Sequence, residues 1–292
     1  MIRDEPLRST TGTWGLASDT LYGRGKNARI DENDALFLPD VKEGRSMPPQ
    51  LPPDQAHWTR VAAEWTAWAR APGHDAFWSY RDGFRAFVGQ GTGDVLEVGC
   101  GEGRIARELT TLGYRVTATD PVPAMVEAAI DARSAAAYAV ASAARLPFDD
   151  GSFDRVVAYN VLMDVEDVPA AVREMARVLR RPRGDLVLSL VHPFADHGRF
   201  EGDEPEAPFV LAGFYFGRQR FETTFARDGL QMHFAGWSQP LEAYVDALAL
   251  AGLAITALRE PKPDNPQGLT GPMQPWTRWP LFLWLKARPL PD

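Results

Sequence analysis

The 292-residue chain contains a single cysteine, Cys100. No internal disulfide can form, which suits a reducing compartment and argues against a disulfide-stapled scaffold. Long apolar runs are also missing. The longest mainly apolar stretch, Ala247–Leu258, is too short to span a bilayer. Met1–Ser9 is mostly charged and polar and lacks the apolar core of a secretory signal. There is no excess of positive charge: 31 basic residues against 39 acidic ones give a formal charge of −8. Nucleic acid is therefore a poor partner for the chain as a whole. Histidines are few and scattered (His57, His74, His192, His197 and His233), and the His192/His197 pair alone makes no metal-ligand set. No repeat, low-complexity tract or phosphate-binding Gly-x-x-x-x-Gly-Lys loop is found. These absences predict a cytoplasmic protein with a small-molecule partner, no nucleic acid and no membrane.

What is present is enough apolar residue, 45% of the chain, to build a full core. Residues 1–55 stand apart as an N-terminal extension. Their Gly, Asp, Arg and Pro follow no sustained period, and the diproline steps at Pro48-Pro49 and Pro52-Pro53 read as extended and stiff. Trp14, Leu16, Leu21, Tyr22, Leu36, Phe37 and Leu38 supply apolar anchors. The extension reads as a tail or, on those anchors, as a lid.

Residues 56–292 read as one α/β unit. A helical stripe starts at His57, with Trp58, Val61, Ala62 and Trp65 on one face, and a second helix is expected from Asp75 to Val88. Strands and helices then alternate, the pattern of a parallel sheet. The strands are Asp94–Val98, Arg115–Thr119, Ala137–Val140, Phe153–Tyr159 and Asp185–Val191; the helices are Arg104–Leu112, Ala124–Ala132 and Pro169–Arg180. Residues 205–237 are rich in aromatics and read as a small antiparallel cap, with strands expected at Phe209–Phe216 and Gln231–Trp237. Leu241–Ala251 reads as a helix, and Leu253–Arg259 and Pro280–Ala287 as two last strands.

The strongest local signal is Val95-Leu96-Glu97-Val98-Gly99-Cys100-Gly101-Glu102-Gly103-Arg104, a glycine-rich turn between a strand and a helix. Glycines there permit a tight turn and a close ligand approach, and the helix N-terminus offers free N–H groups. The spacing is Gly-x-Gly-x-Gly, not the dinucleotide Gly-x-Gly-x-x-Gly, which disfavours a dehydrogenase. Glu97 precedes the first glycine, and Asp120 ends the next strand, where a carboxylate can accept from two ribose hydroxyls.

With these residues the sequence resembles the class I S-adenosylmethionine-dependent methyltransferase family, over roughly residues 57–290. Glu97, Gly99, Gly101 and Gly103 match its first motif and Asp120 its second. Ser142-Ala143-Ala144-Arg145-Leu146-Pro147-Phe148 resembles the adenine loop, with Ser142 where the family often has Asp. Asn160-Val161-Leu162-Met163 resembles the motif after the fourth strand. The resemblance implies a Rossmann-like α/β fold: a seven-stranded, mostly parallel sheet with helices on both faces, an N-terminal lid and a small antiparallel cap. It also implies S-adenosyl-L-methionine as cofactor and S-adenosyl-L-homocysteine as product. The implied cofactor contacts are Trp65, Arg70, Glu97, Gly99, Gly101, Asp120, Pro121, Met125, Ser142, Ala143, Asn160 and Val161. Plainer readings stand beside several of these: Trp65 as core, Asp120 as a helix cap, Ser142 as a loop residue and Asn160 as a turn former.

Ligands of open α/β sheets bind beyond the carboxyl ends of the strands. His192 directly follows the fifth strand, and Glu166 lies just past the fourth. His192 is the candidate general base, Glu166 the carboxylate that orients it, and Asp164 the rival carboxylate. Tyr22 joins them if a lid closes. Tyr80, Phe209, Phe214, Tyr215, Phe216, Phe234 and Trp237 are candidate walls for a flat acceptor. Within the family, the extension together with His192 and Glu166 resembles a bacterial indole C3-methyltransferase of pyrroloindole alkaloid pathways. An O- or N-methyltransferase and a non-catalytic S-adenosylmethionine sensor are the alternatives. If residues 1–50 are a lid, deleting them leaves S-adenosyl-L-homocysteine affinity nearly intact and lowers acceptor turnover. Full turnover by the truncated protein, in a labelled-methyl assay, makes them a tail.

Overall fold

The computed structural model describes residues 51–290. The lid expected over residues 1–50, Tyr22 included, lies outside the described residues.

Helix α1 (Pro53–Arg70) begins four residues before the expected start at His57. Pro53 occupies the first turn, where a missing N–H is harmless, so the second diproline step opens a helix instead of extending a linker. The helix expected over Asp75–Val88 is broken in two. A 3₁₀ turn (Ala76–Ser79) is capped by Asp75, and α2 (Arg81–Val88) follows Tyr80. The Asp264 carboxylate accepts from the Asp82 and Gly83 amides at 2.8 and 2.7 Å. That acceptor, far along the chain, satisfies a second helix start that local periodicity does not reveal.

The sheet strands follow: β1 (Asp94–Val98), β2 (Arg115–Asp120), β3 (Ala137–Val140), β4 (Arg155–Tyr159) and β5 (Asp185–Val191), with α3 (Arg104–Thr111), α4 (Pro123–Asp131) and α5 (Val168–Val178) between them. The cap supplies β6 (Gly198–Phe200), β7 (Phe209–Leu211), β8 (Gln219–Arg227) and β9 (Leu230–Ser238). After α6 (Leu241–Leu250), β10 (Leu253–Arg259) and β11 (Phe282–Pro289) complete the chain. Spatial order is β10-β11-β5-β4-β1-β2-β3, and only β11 runs antiparallel to its neighbours. This is the seven-stranded, mostly parallel, Rossmann-like sheet that the resemblance implies, and its parallel part is what the strand–helix alternation predicts.

The sheet separates two cores. Met175, Val172 and Ala171 of α5 and Leu248 and Tyr244 of α6 pack with Leu186, Leu188 and Leu190 of β5 on one face. Phe84 of α2 and Ile105 and Leu109 of α3 pack with Val95, Val157, Tyr159 and Trp284 on the other. Because both faces are covered, the central strands are apolar almost without alternation.

The cap differs from the expectation. Phe209–Leu211 pairs with Gly198–Phe200, and residues 212–216 leave the strand. The partner of β9 is β8, joined to it by Asp228-Gly229, both at positive φ (50° and 77°). Two such residues between paired strands form the tight hairpin turn that matches strand twist. Among the described residues no helix is long and apolar enough to cross a membrane.

Leu188, 1% exposed at the centre of β5, tests this packing. Leu188→Ala should lower unfolding free energy by about 2–5 kcal/mol, read as a shifted midpoint in urea melts.

Candidate active site at the carboxyl rim of the sheet

The glycine turn joins β1 to α3. Gly99, Gly101 and Gly103 have φ of 71°, 53° and 87°, a region that side chains disfavour. Space forbids a side chain as well. A Cβ on Gly99 would stand 2.5 Å from Val161 Cγ2, and one on Gly101 would stand 2.9 Å from Trp65 Nε1. Trp65 of α1 therefore covers the turn from above, and Val161 closes it from the β4 side. The structure brings together five of the expected contacts here: Trp65, Gly99, Gly101, Asp120 and Val161.

Asp120, at the end of β2, fastens the turn. Its Oδ2 accepts from Gly101 N and its Oδ1 from Val122 N, both at 2.9 Å. Burial pushes the carboxyl up to about 6, and the two amide bonds pull the other way. Each carboxylate oxygen keeps a lone pair for a further donor, so capping and ribose binding are compatible. Glu97 lies behind, 1% exposed, and its Oε2 has no hydrogen-bond partner. Burial first, then Asp120 and Glu102, raise its pKa well above the usual carboxylate range. Among the described residues no cation or N–H bonds Oε2, and a nucleoside carrying an ammonium and a sulfonium would supply one. These residues fit S-adenosylmethionine.

The remaining expected contacts surround this turn. Arg70 is engaged with protein: Nε donates to Glu102 at 2.9 Å and Nη2 to Ala128 O at 2.8 Å. Met125 is 2% exposed and packs with Ala62, Val122, Trp58 and Trp65, while Pro121 O accepts from Gln55. Ser142 is exposed and its hydroxyl accepts from Ala144 N at 3.3 Å; Ala143 is buried beside it. Asn160 adopts φ 54°, and its Oδ1 accepts from Ser189 Oγ at 2.7 Å.

On the acceptor side the pairing expected between His192 and Glu166 is not formed. Glu260 takes that place: His192 Nε2 lies 3.2 Å from Glu260 Oε1, and His192 Nδ1 accepts from Phe194 N at 3.1 Å. Burial lowers the imidazole pKa, against the opposing pull of Glu260. Glu166 is exposed, and the chain around it is tied outward, with Arg218 donating to the carbonyls of Val165 and Glu166. Glu260 directly follows β10, which runs parallel to β5. The rule that selected His192, the first residue past a strand on this rim, would have found it too.

The aromatic walls are only partly as expected. Tyr80 is fully buried in the core on the α2 face, and Phe214 and Phe216 stand 77% and 80% exposed. Phe234 packs against Trp65, and Phe194 stacks with Phe209 and Trp279 at 4.9 and 5.5 Å. Two groups went unanticipated. Arg104 is ion-paired with Asp75 at 2.8 Å and sandwiched between Trp65 and Phe77 at 4.8 and 4.7 Å, so it holds Trp65 over the turn. Asp54 of α1 accepts from Arg220 of β8 and from Trp237 Nε1 of β9, which ties α1 to the cap.

Residues 96–188 match the family model described as a methyltransferase domain. The ubiquinone biosynthesis O-methyltransferase of Xanthomonas oryzae pv. oryzae (strain PXO99A) is 37% identical over 103 residues, covering 34% of this chain and 43% of that one. The demethylmenaquinone methyltransferase of Beutenbergia cavernae is 35% identical over 134 residues, 46% of this chain and 50% of that one. The chain thus spans about half the length, or less, of these curated relatives. An S-adenosylmethionine-dependent methyltransferase from Mesorhizobium loti superposes with a TM-score of 0.56 at 23% identity, over 73% of this chain and 98% of that one. That likeness is one of fold, and the match to the methyltransferase-domain model covers residues 96–188.

Asp120 sets a pH test. A hydroxyl donor needs the ionised carboxylate, and the carboxyl sits near 6 in the folded protein. Affinity for S-adenosyl-L-homocysteine should rise as pH climbs through 6, and be about tenfold weaker at pH 5 than at 7.5. Stability runs the other way. The folded state holds this proton more tightly than the unfolded chain, so the unliganded protein loses stability from this group between its ordinary 3.8 and about 6. Calorimetry and thermal melts across pH check both trends, and Asp120→Asn should flatten both.

Proposed function

We propose that the chain is an S-adenosylmethionine-dependent methyltransferase of a small aromatic or heteroaromatic acceptor, with an indole ring carbon (C3) in natural-product biosynthesis as the favoured target. The observation that carries the reading is Asp120 fastened to the Gly101 amide with lone pairs to spare, inside a segment matching the methyltransferase-domain model. When bound, S-adenosyl-L-methionine supplies an electrophilic sulfonium methyl. Asp120 and the glycine turn would hold its nucleoside, with Trp65 as cover and Met125 and Ala143 as apolar walls.

Since the donor is already activated, the protein's task is to position the acceptor and exclude water. Trp65, Phe234 and the Phe194 stack border the rim with flat apolar surface, which favours an aromatic acceptor. His192 shares the acceptor's proton, and its lowered pKa keeps it neutral and able to do so near pH 7. Glu260 orients the ring through Nε2, and Nδ1, which accepts from the Phe194 amide, is the nitrogen that would take the proton. Glu260 takes the orienting role first assigned to Glu166. A second reading, O-methylation, draws on the ubiquinone-pathway relative, which is an O-methyltransferase by name.

A labelled-methyl assay over indoles, phenols and amines separates these readings. Transfer to an indole carbon is the expected result, transfer to a phenol selects the second reading, and tight donor binding without turnover means a sensor. With the true acceptor, His192→Ala should slow transfer by about 10²-fold or more and leave S-adenosyl-L-homocysteine affinity unchanged. Normal turnover by that variant means that catalysis is positioning alone.

A further inference from the structure

Asp164 ends a 3₁₀ turn (Leu162–Asp164) just past β4, on the same rim as Asp120 and His192. Three elements meet around it. Trp58 of α1 points its indole N–H at the carboxyl and favours its ionised form, although the N–H is buried and completes no hydrogen bond of normal length and angle among the described residues. Gly236 of β9 faces it: a Cβ there would stand 3.0 Å from Asp164 Oδ1 and 3.0 Å from Phe221 Cζ of β8. Gly236 has no positive φ, so its backbone does not demand glycine. Space beside the carboxyl does.

The cations nearby are committed elsewhere. Arg220 is bonded to Asp54 and lies over Trp237. Arg218 holds the Val165 and Glu166 carbonyls and lies 4.0 Å over the same ring. Among the described residues no ion pair reaches Asp164, and its neighbours Asp54 and Asp120 repel its charge. Burial is the larger force and raises its pKa well above the usual range, although part of the residue's surface stays open. A deep carboxyl with no ion-paired cation among the described residues, an indole N–H beside it and aromatic rings around it is a poor structural element. It is a good receptor for a donor-bearing ring.

We infer that Asp164 selects the acceptor, its carboxyl receiving an N–H or ammonium donor of a nitrogen-containing aromatic compound. The inference rests on the reading of this rim as an acceptor site, but makes a claim of its own: nitrogen acceptors enter and oxygen analogues do not. Glu166, exposed and turned outward, has no part in this recognition.

The test uses the full chain and four probes: indole, tryptamine, 1-methylindole and phenol. Binding is followed by ligand-observed NMR and calorimetry, with and without S-adenosyl-L-homocysteine. Wild type should bind indole or tryptamine about tenfold or more tightly than 1-methylindole and phenol, the scale of one hydrogen bond to a charged group. Asp164→Ala should erase that preference. Asp164→Asn, which keeps an acceptor oxygen and loses the charge, should lose tryptamine more than indole. Melting temperatures separate recognition from structure: both variants should melt no lower than wild type, because the carboxyl lacks a cationic partner and is repelled by its neighbours. An unchanged preference in Asp164→Ala overturns the inference. So does a wild type that prefers phenol or 1-methylindole, or takes neither N–H probe, and so does an Asp164→Asn variant that melts markedly lower and keeps wild-type selectivity. Failure of the wild type to bind S-adenosyl-L-homocysteine would sink the cofactor reading, while the probe preference measured without it still decides this one.

Discussion

The Asp120 carboxylate is the joint on which the candidate site depends. It reaches from the end of β2 to the Gly101 amide at the start of α3, and to the Val122 amide ahead of α4. Two loops from different βα units are thereby fixed by one side chain. A buried carboxylate with only two amide donors is an incomplete environment, which is why its pKa stands near 6 instead of below 4. A structural cap would gain from full satisfaction. One left with unfilled lone pairs, in front of three glycines that leave no room for Cβ atoms, is organised for a ligand.

The same asymmetry runs through the acids around it. Glu102 is bonded by both Arg70 and Arg107 and completes an ordinary buried ion network. Among the described residues Glu97, five residues earlier and equally buried, has no such partner, and Asp164 has no ion pair either. The cations are abundant but face away: Arg70 and Arg107 bind Glu102, and Arg104 is locked on Asp75 between two rings. Unpaired buried carboxyls of this kind destabilise a folded chain. Their grouping along one rim puts negative potential where a cationic donor and an N–H-bearing acceptor would meet.

The sheet was legible in the sequence because its central strands are covered on both faces and read as short apolar runs, separated by amphipathic helices. Gly99, Gly101 and Asp120 were legible for a related reason: their roles are set by backbone geometry at one βα turn. Two of the misreadings share a cause, a partner distant in sequence. The split at Tyr80 needs Asp264, and the orientation of His192 needs Glu260. The missed strand β8 is different, since Asp228-Gly229 between alternating residues is a local hairpin signal that aromatic composition obscured. Asp164 and Glu166 stand two residues apart, and no spacing rule distinguishes them. Only the fold, which turns the first inward against Gly236 and ties the chain at the second to Arg218, does so.

The cofactor and acceptor sides are not independent parts. Helix α1 carries Trp65 over the glycine turn, Trp58 beside Asp164, and Asp54 bonded to both strands of the cap hairpin. Val61 and Trp68 of the same helix pack on Met232 of β9. Any displacement of α1 that opens the glycine turn must therefore pull at the hairpin that faces Asp164, because Asp54 is buried and bonded to Arg220 and Trp237 at once. The reverse also holds: a ring bound beside Asp164 would bear on the hairpin packed against it, on α1 and so on Trp65. Coupling through one packed helix is reciprocal by thermodynamic necessity. A donor held under Trp65 and an acceptor held by Asp164 would therefore shift each other's affinity by the same factor, and a favourable sign would let a reactive methyl meet an acceptor and not water.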